Sequence, residues 1–168
     1  MILPGIEPLL VLSFAIPGQP KAWARANRVG KRMVKSAEQK LWAERIQNYF
    51  AVARHTHPRA RLIIWPHDGP VAVHLTGYFE LPEETPRSGN WPAWRCASAL
   101  AGRVPCERVM DADNVMKAVK DALNKVAYTD DRRVFDERSV KKWALPEDAR
   151  LEVTVHFYPE ITEANYGI

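Results

Sequence analysis

The residues best suited to chemistry lie together in Asp111-Ala112-Asp113-Asn114-Val115-Met116-Lys117. Two carboxylates two positions apart point to the same side if the chain is extended as it enters a helix. An ammonium one turn after the second carboxylate shares a helix face with it. A second acidic pair, Asp130-Asp131, follows that helix, and a short return would bring it back beside the first. Clustered carboxylates repel unless a cation neutralises them, and hard oxygen donors select Mg²⁺ or Mn²⁺ over zinc. A calcium loop also begins Asp-x-Asp, but it needs glycine at its sixth position and glutamate at its twelfth. Met116 and Ala122 stand there instead, which excludes it. Taken singly, the same residues have plainer uses. Asp113 is well suited to N-cap a helix, Asp111 to sit in a solvated turn, and Lys117 and Asp121 to form an ordinary pair at four-residue spacing.

The charge distribution suggests what such a site would meet. The formal net charge is +4, yet between Lys21 and Arg61 eleven basic residues stand against only Glu38 and Glu44. Such an arm favours a polyanion, because each Lys or Arg that neutralises a phosphate releases counterions. Charge alone leaves a solvated helix face equally open. A divalent cation beside a basic groove suits phosphodiester hydrolysis: it polarises the phosphate, activates a water and stabilises the leaving oxygen. Lys117 would then neutralise charge developing on the scissile phosphate.

Composition narrows the class. At 168 residues, with 46% hydrophobic and 26% charged residues, the chain suits one folded domain, 1–168, rather than a disordered segment. Two cysteines, Cys96 and Cys106, are too few for a disulfide scaffold or a four-ligand zinc set. The apolar start, Leu3 to Ile16, carries Pro4, Glu7 and Pro8 and no basic flank, which suits neither a signal peptide nor a membrane span. A cytoplasmic location is the expectation.

The elements that must position the acids follow from periodicity. Leu10, Leu12, Phe14 and Ile16 alternate as a strand with one buried face. A basic loop over 18–35 follows. Ser36-Ala37-Glu38-Gln39 matches a capping box and opens a helix over about 37–54, with His55 and His57 as polar caps at its end. Val71, Val73, Leu75, Phe79 and Leu81 mark a long amphipathic strand. The segment 82–108 is broken by Pro82, Pro86, Pro92 and Pro105; its Trp91 and Trp94 either tack it to the core, the reading favoured here, or stack on exposed bases. Val115, Val119, Ala122, Leu123 and Val126 form a second helix, followed by a short strand near 134–143 and a final strand over 150–158. The order predicts a mixed α/β domain, a sheet covered by two main helices, with the chemistry in a core over 109–143.

The run from Asp111 to Asn124, then Tyr128-Thr129-Asp130-Asp131 and Val140-Lys141, resembles the signature of the RusA family of Holliday junction resolvases. That family shows D-x-D-N-x-x-K-x-x-x-D-A-L, an aromatic-x-D-D after a short loop, and a lysine in the next strand. The opening strand into Pro17-Gly18-Gln19-Pro20-Lys21 is similar to the family's N-terminal strand and basic loop. The resemblance implies catalytic, metal-binding roles for Asp111, Asp113 and Asp131, with Asp130 as the alternative to Asp131, and an essential Lys117. It makes Lys21, Arg25, Arg28, Lys31, Arg32 and Lys35 candidates for DNA backbone contacts and Lys141 for a contact nearer the site. Asn114 and Asp121 either support the site or only pack the helix. What is implied is a Mg²⁺-dependent homodimer, phage- or prophage-borne, that resolves four-way junctions by paired nicks in recombination or repair. The rivals are a nuclease for flaps, forks or other branched DNA, and a DNA-binding module without catalysis.

Overall fold

The computed structural model describes residues 6–22, 27–29, 32–34, 36–82, 91–107, 109–160 and 162. Four strands form the main sheet: β1 (Leu10–Pro17), β4 (Val71–Glu80), β5 (Val134–Ala144) and β6 (Arg150–Phe157), in the order β1-β6-β4-β5. β6 pairs antiparallel with β1 and β4, whereas β4 and β5 run parallel, from Val71 opposite Val134 to Glu80 opposite Ala144. Alternation decides which face is wet. Val71, Val73, Leu75 and Phe79 of β4 are buried, while His74, Thr76 and Tyr78 on the other face are half-buried beside Thr154 and His156 of β6. The apolar face receives the helices, so Leu12, Ile46, Phe50, Val119, Leu123 and Val153 share one core.

Helix α1 (Ala37–Thr56) begins at the capping box expected from sequence: the Ser36 hydroxyl accepts from Gln39 N and the Gln39 side chain accepts from Ser36 N. Trp42, Ile46 and Phe50 are its buried stripe. His57 ends it through its backbone N–H to the Ala53 carbonyl, and its ring caps the following 3₁₀ turn by accepting from Arg59 N. Helix α3 (Ala112–Leu123) buries Val115, Met116, Val119, Ala122 and Leu123 against α1 and β5.

Three expectations change. The basic loop holds two short antiparallel strands, β2 (Asn27–Val29) and β3 (Arg32–Val34). The segment after β4 contains a helix, α2 (Ala93–Leu100), which starts at Pro92, a residue whose fixed φ suits a helix start as well as it suits a loop. Its two tryptophans also part company. Trp91 is buried edge-on against Trp143 at 5.0 Å, with Arg95 over its other side, whereas Trp94 is 70% exposed. The strand expected near 134–143 is found there as β5, eleven residues long.

The turn after α3 is tied to the sheet by one strap. His67 N donates to the Ala127 carbonyl, Thr129 N donates to the His67 carbonyl, and the buried His67 ring donates through Nε2 to the Tyr158 carbonyl at 2.8 Å. Gly69 lets the chain pass, because a Cβ there would lie 2.6 Å from that same carbonyl oxygen. Burial pushes the His67 pKa below its ordinary 6.5. The unfolded chain therefore takes up a proton near pH 6.5 that the folded chain refuses, so this stability is complete above 6.5 and is lost as pH falls toward the folded value. The melting temperature is expected to fall between pH 7 and pH 5, and less steeply in a His67→Gln chain; equal slopes would refute the assignment. His156, which burial also shifts down, accounts for part of the remaining slope.

Candidate active site

The acidic segment enters α3 with Asp111, not Asp113, as the N-cap. Asp111 has an extended backbone (φ −62°, ψ 139°), and its side chain makes no capping hydrogen bond. Asp113 lies in the first turn, exposed like Asp111. The expected N-cap role thus passes to a residue whose carboxylate the helix does not use. The positive end of the helix dipole favours both carboxylates, and would equally favour a phosphate. Lys117 follows one turn after Asp113, also exposed.

Strand β5 lies along α3 and runs against it. Lys120 pairs with Glu137, the Ser139 hydroxyl donates to the Ala112 carbonyl at 3.4 Å, and Lys141 Nζ donates to the Met110 carbonyl at 3.4 Å. Lys141 is therefore fixed to the residue just before Asp111. Beyond it, the Trp143 indole donates to the Pro105 carbonyl at 3.2 Å, so α2 and its flanks hold the end of β5 that carries Lys141. Burial pushes the neighbouring Cys106 thiol up to about 11, against the opposing effect of Lys141, which keeps it from acting as a thiolate.

The second acidic pair is placed differently from the short return envisaged in the sequence. Asp130 caps a 3₁₀ turn over Asp131–Arg133: its carboxylate accepts from Arg132 N and Arg132 Nε, both at 3.0 Å. These bonds hold Asp130 well below the usual carboxylate range. Asp131 lies near the C-terminal end of α3. Nearby, the Tyr128 hydroxyl donates to the Lys120 carbonyl at 3.0 Å, and its pKa is pushed up first by burial and then by Asp131, Asp121 and Glu137. Lys141 pairs with Gly77 in β4, whereas Val134 pairs with Val71, at the strand's other end. A twelve-residue helix, about 18 Å long, thus separates Asp111 and Asp113 from Asp131. Among the described residues no three acidic, histidine or cysteine side chains lie close enough together to hold one metal ion.

Of the basic residues singled out, Lys21 pairs with Glu38 at the start of α1. Arg28 and Arg32 stand in β2 and β3, opposite Met33 and Val29. Arg25, Lys31 and Lys35 lie outside the described residues. Sequence reasoning missed Ser139 and the structural work of Tyr128. The aromatic of the aromatic-x-D-D motif was the available signal for Tyr128; nothing marked Ser139. Replacing Tyr128 by Phe is expected to cost about 1 kcal/mol, the worth of one intramolecular hydrogen bond. Urea unfolding reads it, and an unchanged midpoint would show that the Lys120 carbonyl needs nothing from the phenol.

The family described as Endodeoxyribonuclease RusA matches residues 17–156, from the end of β1 to the last strand. The uncharacterized protein YqaN of Bacillus subtilis (strain 168) is 29% identical over 148 residues, which cover 86% of this chain and 94% of that protein. No helix among the described residues is long and apolar enough to cross a membrane. With a family model that matches most of its length, the chain belongs to the RusA family of endodeoxyribonucleases.

Proposed function

We propose that the protein is a divalent-metal-dependent endonuclease that resolves four-way DNA junctions as a homodimer, by paired nicks. The observation that carries the reading is the convergence at the start of α3: two exposed carboxylates, one of them a helix cap that makes no capping bond, with Lys117 one turn on and Lys141 bonded to the preceding carbonyl. This donor set is all oxygen and suits Mg²⁺ or Mn²⁺, which Asp111 and Asp113 would hold. When bound, the ion polarises the scissile phosphate and lowers the pKa of a water. The chain supplies the rest. The helix end orients the phosphate, and Lys117 offsets charge that builds on it during cleavage.

The third carboxylate comes from the second copy in this reading. One chain keeps Asp131 a helix length from Asp111 and Asp113, and a two-fold axis that sets two α3–β5 units head to tail would bring each Asp131 to the partner's pair. Asp131 suits this role better than Asp130, whose carboxylate already holds Arg132 and its own turn. Two sites related by the axis would cut two equivalent phosphates of a junction. The setting implied is recombination or the clearing of branched DNA by a phage- or prophage-encoded enzyme in the cytoplasm.

Labelled four-way junction, duplex and flap DNA are to be incubated with Mg²⁺ or with EDTA. Paired nicks in the junction alone, lost with EDTA and in Asp113→Asn, are expected; Lys117→Met should lower the rate by about 100-fold. Equal cutting of all three substrates would sink the junction assignment, and cutting in EDTA would sink the metal. Mixing Asp113→Asn with Asp131→Asn chains separates the two arrangements of the site. If Asp131 acts across the dimer, mixed dimers carry one intact site and recover single nicks; if it acts within one chain, every site stays broken.

A further inference from the structure

Residues 19–22, the first two turns of α1 and the side of α3 that carries Ala118 and Asp121 line an open cleft of about 400 Å³. Its walls are apolar: Ala22 from the loop, Trp42 and Ala43 from α1, Met110 and Ala118 from α3 and its entry. The polar groups at its border have mixed sign, with Lys21 and Glu38 paired to each other and Asp121 across from them. Ser36, Gln39 and Gln19 also line it; the Gln19 amide oxygen accepts from Glu80 N at 3.0 Å, which leaves its amide nitrogen as a donor. Trp42 is 4% exposed, and its buried indole Nε1 has no hydrogen-bond partner among the described residues. Met110, which ends one side of the cleft, is the residue immediately before Asp111.

We infer that this cleft receives an unstacked nucleobase next to the reacting phosphate, an inference that rests on the nuclease reading of the α3 start. Apolar walls of Ala22, Ala43, Met110 and Ala118 suit the uncharged faces of a flat heterocycle, and donors and acceptors at the border suit the edge of a base, which carries both. A phosphate would meet Glu38 and Asp121 there and gain nothing from the walls. The chain's basic residues attract the polyanion as a whole, while the cleft takes its uncharged part. Occupancy also locates the strand: a base seated beside Met110 leaves its own phosphate at the helix start, one residue from Asp111. Base identity in the cleft then sets the preference of cutting, because a pocket that hydrogen-bonds one edge rejects a base lacking the match.

The test uses the full chain and a four-way junction carrying 4-thiothymidine at successive positions around the branch, irradiated in EDTA so that no strand is cut. Cross-links on bound complexes are mapped by mass spectrometry. The expected result is a cross-link to Trp42 or Met110 from one position, reduced about tenfold by Ala118→Leu, which fills the cleft. Cross-links confined to other segments in the unmodified chain, or a cleft cross-link insensitive to Ala118→Leu, would overturn the inference. Because the readout needs no cleavage, it is independent of the nicking assay: a chain that cuts but never cross-links through the cleft refutes this site alone, and a chain that cross-links there without cutting refutes the nuclease reading alone.

Discussion

Parallel pairing of β4 and β5 is the constraint on which the rest depends. A parallel pair cannot be closed by a hairpin, so the chain must travel back from the end of β4 to the start of β5 before the second strand begins. Helix α3 is that return journey, and for this reason it runs against both strands. Its start therefore belongs to the end of the sheet where β4 and β5 finish, and the residues after it belong to the end where they begin. The two acidic pairs, close in sequence, are held apart by topology.

The opposite end of the same crossover shows how the protein spends its aromatic residues. Trp143 closes β5 by packing on Trp91 and bonding Pro105, while Phe157, Trp65 and His67 interlock edge to face where β4 begins. Each end of the parallel pair is thus pinned by rings whose geometry is directional as well as apolar. Between these pins the helix offers its N-terminal carboxylates to solvent and buries its other face. Packing contacts pin the elements around the acids and leave the carboxylates exposed, which suits the metal-binding role proposed for them.

What was legible in the sequence was local. The capping box at Ser36 located the start of α1, and strict alternation located β1, β4 and β6, because each signal lies within a few neighbouring residues. The carboxylates and the lysine at 111–117 were recognisable from residue type and spacing. Direction in space was not legible: spacing says how far apart Asp113 and Asp131 are along the chain, but not that a parallel crossover sends them to opposite ends of a helix. Asp111 and Asp113 exchanged the capping role for a related reason, since both are good cap residues and only the backbone turn decides between them. Helix α2 was hidden because its start, Pro92, is read more readily as a break. The cleft beside Trp42 has no sequence signature at all, being assembled from a loop and two helices far apart in the chain.

The pairing of β4 with β5 also fixes when the acids reach their places. Its reward comes only after residues 81–133 have been gathered, and closing so long a segment costs entropy before any ladder bond repays it. β1 and β6 are likewise joined from the two ends of the described chain. A partly folded chain of this topology can hold α1 and its capping box, which are local, but not the juxtaposition of Met110, Asp111 and Lys141. The juxtaposition of these residues is a property of the finished fold, and a chain that has not closed the crossover lacks it.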